Sequence, residues 1–133
     1  MLEQMTANLN FQGNALLLRS QRQQVLASNI ANADTPGYVA RDFDFASALK
    51  SVSQGADPSS VAITNARHLQ LNAPDVHNPK MGYTVQTEPS QDGNSVDLDQ
   101  QRANFVDNSI RYESTLRFIN GHVKTMLSAI TGQ

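Results

Sequence analysis

The chain reads as mainly α: two long terminal helices packed as a coiled-coil-like pair, with an extended arm and a small irregular or β middle segment. Three observations predict this. Apolar residues recur every seven positions over both ends of the chain, a Pro-Gly turn stops the first of these patterns abruptly, and four of the five prolines fall in the polar stretch between them. The segments expected are an N-terminal helix over 1–34, a turn and extended arm over 35–50, a polar loop and short-strand middle over 51–95, and a C-terminal helix over 96–133.

In the first segment, Leu2, Met5, Leu9, Leu16, Leu26, Ile30 and Ala33 are apolar on the repeat, against Gln12, Arg19 and Gln23. A second stripe of Phe11, Leu18 and Val25 lies on another side of the same helix. A helix apolar on two sides needs partners on two sides. Gly13 costs such a helix about 1 kcal/mol against Ala and marks either a bend or a close approach of another backbone.

Pro36 lacks a backbone donor and biases Thr35 away from helix, so the first helix stops near here. Thr35-Pro36-Gly37-Tyr38 has the residues of a type II turn, with Gly where φ must be positive. Beyond it, Phe43 and Phe45 stand two apart with Asp42 and Asp44 around them, the period of an extended arm; Ala46 to Val52 reads either as its end or as a short helix. Asn29 and Asn32, three apart on one side of the last helical turns, either tie the returning arm to the helix or stay solvated.

In the middle, Val61 and Ile63, Leu69 and Leu71, and Tyr83 and Val85 show short period-2 patterns suited to a small sheet, with exposed loops over 54–60 and 74–82. Asp92-Gly93-Asn94 signals a turn, and Asp97 with Gln100 three residues on fits a capping box for the second long helix. There Leu98, Phe105, Tyr112, Ile119 and Met126 are seven apart and all apolar; of the residues four further on, Leu116, Val123 and Ile130 are apolar and Arg102 and Ser109 are not. Pairing the two seams leaves Phe11, Leu18, Val25, Val106 and Ile110 facing outward, which predicts assembly with other copies.

Composition excludes several functions. A formal charge of -2 with scattered Lys and Arg gives no footprint for nucleic acid or an anionic membrane. With no cysteine there is no disulfide framework and no thiolate chemistry. His68, His77 and His122 lack metal-ligand spacing. The Asp92 to Asp99 acids fail as a calcium loop, with Asp97 where Gly is needed and Ala103 where Glu is needed. No phosphate-cradling loop or nucleophile elbow is present, so no enzyme, cofactor, metal or small-molecule substrate is expected. There is no run of 18 apolar residues and no signal-peptide pattern.

The run Asn29-Ile30-Ala31-Asn32-Ala33-Asp34-Thr35-Pro36-Gly37-Tyr38 resembles the N-terminal signature of bacterial flagellar axial proteins, the rod, hook and hook-associated proteins. The flanks Leu18 to Leu26 and Ala40 to Ala46, with Asp92 to Asp99 and Phe105 to Tyr112 at the other end, are similar to the proximal rod type within it; residues 51–91 match loosely and Val39 stands where a polar residue is usual. The resemblance implies a structural subunit of the flagellar basal body that polymerises through its terminal helices into the drive-shaft tube needed for motility. It implies the rod, spanning the periplasm, as its location and export without a cleaved signal. Its partners would be other copies of itself, other flagellar rod proteins, a FliE-type adaptor at the membrane ring and the export apparatus. The alternatives are another rod protein, of the C type, or a soluble helical adaptor. The residues expected to matter are Asn29, Asn32, Thr35, Pro36, Gly37 and Tyr38 at the elbow. Along the assembly seam they are Leu9, Leu16, Leu26 and Ile30, then Leu98, Phe105, Tyr112, Leu116, Ile119, Val123, Met126 and Ile130.

Overall fold

A computed structural model describes residues 2–54, 77–84 and 90–132. Helix α1 runs unbroken over Leu2–Ala31, strand β1 covers Arg41–Asp42, helix α2 Phe45–Ser53, strand β2 Gly82–Tyr83, and helix α3 Leu98–Thr131. At about 1.5 Å per residue the two terminal helices are roughly 45 and 50 Å long. They lie against each other antiparallel: Asn29 bonds Gln101 and Gln23 bonds Ser109, while Met5 shares a groove with Met126.

The start of α3 is built locally from the aspartate that the sequence points to, and its end from a glycine. Asp97 is the N-cap, its carboxylate accepting from Gln100 N at 3.1 Å, so the helix opens at Leu98 rather than at Val96. Gly132 closes it in the left-handed conformation, with φ 71°. Gly13 is neither a bend nor a close approach: α1 passes straight through it, and a Cβ there would meet nothing within 4 Å.

The arm ends sooner than expected. Asp44 caps a third helix, its carboxylate accepting from Ala46 N and the Ser47 hydroxyl. Phe45, Ala48, Leu49 and Val52 then fall at helical spacing on one face, which packs on Leu18 and Phe43. So residues 45–50 are helix, and only 35–44 form the turn and arm. This third helix also corrects the expectation for Leu18, which is fully buried beneath it, and Val25 is half-buried; Phe11, Val106 and Ile110 remain outward.

The small sheet pairs the arm with the middle segment. β1 and β2 are antiparallel, with Arg41 opposite Tyr83 and Asp42 opposite Gly82. The Arg41 guanidinium lies 5.7 Å from the Tyr83 ring centre. Val61, Ile63, Leu69, Leu71, Val85 and the loop over 55–60 lie outside the described residues.

Candidate functional site

Two features stand out: a hydrogen-bonded elbow at one end of the helix pair, and open helix faces at the other. The elbow is the more densely hydrogen-bonded. Tyr38 N donates to Thr35 O at 3.2 Å and Gly37 has φ 71°, the geometry of the turn that Pro36 and Gly37 call for. Opposite it, Gly93 also has positive φ, and a Cβ on it would sit 3.8 Å from the Gly37 Cα. The two glycines let the elbow and the segment before α3 lie backbone to backbone.

That segment holds the elbow shut. Gly37 N donates to Asp92 O at 2.9 Å, Ser95 N donates to Tyr38 O at 3.0 Å, and Ala40 N donates to the Ser95 hydroxyl at 2.7 Å. Asn94 goes further. Its Nδ2 lies 2.9 Å from Asn32 O, 2.8 Å from Ala33 O and 2.9 Å from Thr35 O, gathering the carbonyls of the segment just beyond α1. Its Oδ1 accepts from Val96 N at 2.8 Å, and the Ser90 hydroxyl donates to its carbonyl.

Asn29 and Asn32 part company. Asn29 is fully buried and ties the arm to the helix: Nδ2 donates to Arg41 O at 2.7 Å, and Oδ1 accepts from Arg41 N and from the Tyr38 hydroxyl, each at 3.2 Å. Asn32 stays local, donating to Ser28 O at 2.8 Å and accepting from the Thr35 hydroxyl at 3.2 Å. The arm is also pinned by Arg22, which grips Asp42 through two bonds of 3.1 and 2.8 Å; that contact holds the guanidinium pKa above its usual value despite burial. Arg19 lies with its guanidinium carbon 4.1 Å from the Phe45 ring centre, and burial, followed by repulsion from Arg111, lowers its pKa.

Along the helix pair, the side chains that α3 buries are not those expected. Gln101, Asn108 and Thr115 are sealed, whereas Leu116, Val123 and Ile130 are exposed, Ile130 to 83%. Leu98, Phe105, Tyr112, Ile119 and Met126 are half-buried beside the polar line, so α3 meets α1 through residues three, not four, beyond its apolar repeat. The reason is chemical. Asn108 Nδ2 donates to Arg19 O at 2.9 Å and to Gln23 Oε1 at 2.6 Å, and Gln23 Nε2 donates to the Ser109 hydroxyl at 2.6 Å. Two of the three breaks in the α1 repeat, Arg19 and Gln23, are thus the partners of Asn108. On α1, Leu26 is fully buried and Leu9, Leu16 and Ile30 are half-buried.

Burial is lopsided along the pair. Among the described residues the buried apolar side chains are Ala15, Leu18, Leu26, Ala40 and Phe43. From Glu3 to Asn14 and from Leu116 to Gly132 no side chain is buried, and the tip presents Met5, Phe11, Phe118, Val123, Leu127 and Ile130 to solvent. His77 and His122 are exposed, and His68 lies outside the described residues. No helix among the described residues is long and apolar enough to cross a membrane.

A family described as "Flagella basal body rod protein" matches residues 9–38, most of α1 and the elbow. The chain is 47% identical to the flagellar basal body rod protein FlgB of Escherichia coli K12, over 98% of this chain and 97% of that one. It is 43% identical to FlgB of Salmonella typhimurium over 99% of each chain, and 42% identical to FlgB of Aeromonas hydrophila over 90% and 89%.

Proposed function

The chain belongs to the flagellar basal-body rod proteins of the FlgB type, and from that premise we propose that its fold is finished by its neighbours. It is a structural subunit of the proximal rod and not an enzyme, and it assembles with itself and with other rod components. The observation that carries the proposal is the bare tip, where α1 runs for about three turns and α3 for more than four with no buried side chain. Ordering a residue costs on the order of 1–2 kcal/mol, and a half-covered seam does not offset this along isolated helices. Neighbouring subunits that cover Leu116, Val123, Leu127 and Ile130 supply the missing burial.

On this reading the clamped elbow is the preformed part, and the tip orders as the subunit docks. The neighbours are other copies, other rod proteins outward, and a FliE-type adaptor towards the membrane ring. The subunit crosses to the periplasm through the flagellum's own export apparatus, to which a chain without cysteine and with a small core presents little that must be undone. Leu116→Asp tests the proposal in cells lacking their own copy. It abolishes swimming and removes the subunit from isolated basal bodies, and normal swimming would sink the assembly role given to this face.

A further inference from the structure

The apolar half of the seam between α1 and α3 repeats every seven residues, so it does not fix how far one helix slides along the other. Leu98, Phe105, Tyr112, Ile119 and Met126 are all apolar and all half-buried, and a slip of one repeat exchanges one for the next. The polar line beside them is different. Gln101, Asn108 and Thr115 are also seven apart and buried, but no two of them have the same side chain.

We propose that Asn108 and Gln23, with Asn29 and Gln101 as a second pair, set the register of the terminal helices. Only the observed register places a carboxamide between Arg19 O and Gln23 Oε1, at 2.9 and 2.6 Å, while Gln101 stays on Asn29. A slip one way brings Thr115 there, whose hydroxyl is already donated to Arg111 O at 2.8 Å, and takes the amide donor away from the part-buried Gln23 Oε1. A slip the other way carries Gln101 off Asn29, whose Nδ2 donates to it at 3.1 Å. Each mis-set amide lowers the population of a slipped register by roughly tenfold. Register decides which residues of α3 lie beside the elbow and which at the tip, and therefore which outer face a neighbouring subunit meets. Asn108 and Gln23 are positioning residues in this sense, and a buried amide that fixes helix alignment is a known use of polar seam positions.

Because the chain has no cysteine, disulfide trapping reads the register directly. Asn8 and His122 line one groove at the tip, so Asn8→Cys with His122→Cys reports the observed register. Asn8→Cys with Ala129→Cys, or with Thr115→Cys, reports slips of one repeat either way. With Asn108 intact, mild oxidation closes the first pair and leaves the other two open. Asn108→Leu raises the slipped links about tenfold without loss of helical circular dichroism, and Asn108→Gln, which keeps an amide, brings them back towards the starting level. If Asn108→Leu does not fold, Asn108→Ala is read with the same three reporters. Slipped links that stay within about twofold of the starting level in the folded variant overturn the proposal.

Discussion

Asn94 and Thr35 stand 59 positions apart in sequence, yet the Asn94 carboxamide nitrogen lies 2.9 Å from the Thr35 carbonyl, at the end of a helix to which Asn94 does not belong. The end of α1 is thereby capped from the segment that leads into α3, and the same nitrogen reaches Asn32 O and Ala33 O. Asn94→Ala removes the donor that these three carbonyls share, at a cost of about 1–3 kcal/mol. Urea unfolding measures the loss, and hydrogen exchange localises it to the elbow, residues 32–38.

Gly37 carries the turn by its backbone alone. A Cβ there meets nothing within 4 Å, so the penalty for a side chain is the positive φ and not a clash. Gly37→Val costs about 1–2 kcal/mol and Gly37→Asn clearly less, because Asn tolerates the left-handed region. Equal destabilisation of the two in thermal melts would mean that the position is limited by space instead.

Fold and assembly separate at two apolar residues. Leu18 is fully buried under α2, and Leu18→Ala destabilises the monomer by about 2–4 kcal/mol. Ile130 is 83% exposed, and Ile130→Asp leaves monomer stability within about 0.5 kcal/mol while reducing incorporation into basal bodies. Urea melts and basal-body composition, measured on both variants, distinguish the two effects.

Asp44 titrates with its helix. The Ser47 hydroxyl, then Ala46 N–H, hold its carboxyl below the usual carboxylate value. A lowered folded pKa contributes stability that is present above the unfolded value, near about 3.9, and is lost as pH falls through the folded value. Exchange protection of α2 is therefore flat from neutral pH to about pH 5 and falls below about pH 4. Asp44→Asn keeps the cap and removes the titration, so its protection no longer tracks pH over that window.

The two long helices and the elbow were legible because their signals are local: a seven-residue repeat, a capping aspartate at Asp97, and Pro36-Gly37. Helix α2 was only one of two readings of Ala46 to Val52, because its cap, Asp44, sits between Phe43 and Phe45 and completes an apparent period of two. The seam of α3 was misplaced by one residue because counting apolar positions favours Leu116 and Val123 over Gln101 and Asn108. What buries those amides is hydrogen bonding to Asn29, Arg19 and Gln23, 72 to 89 positions away. The Asn94 clamp likewise depends on partners that only the fold brings together. Asn29 was visible as one of two candidates to tie the arm to the helix, but its partners, Arg41 and Tyr38, are set only by the path of the arm.

Hydrogen exchange on the isolated chain at low concentration, compared with the same chain in basal bodies, tests most directly whether neighbours complete the fold. The account predicts rapid exchange in the free chain over 3–14 and 116–132, slower exchange around Leu18 to Asn29 and Gln101 to Asn108, and protection of the tips after assembly. Strong protection of the tips in the free monomer would show that the helices are satisfied within one chain, and would contradict it.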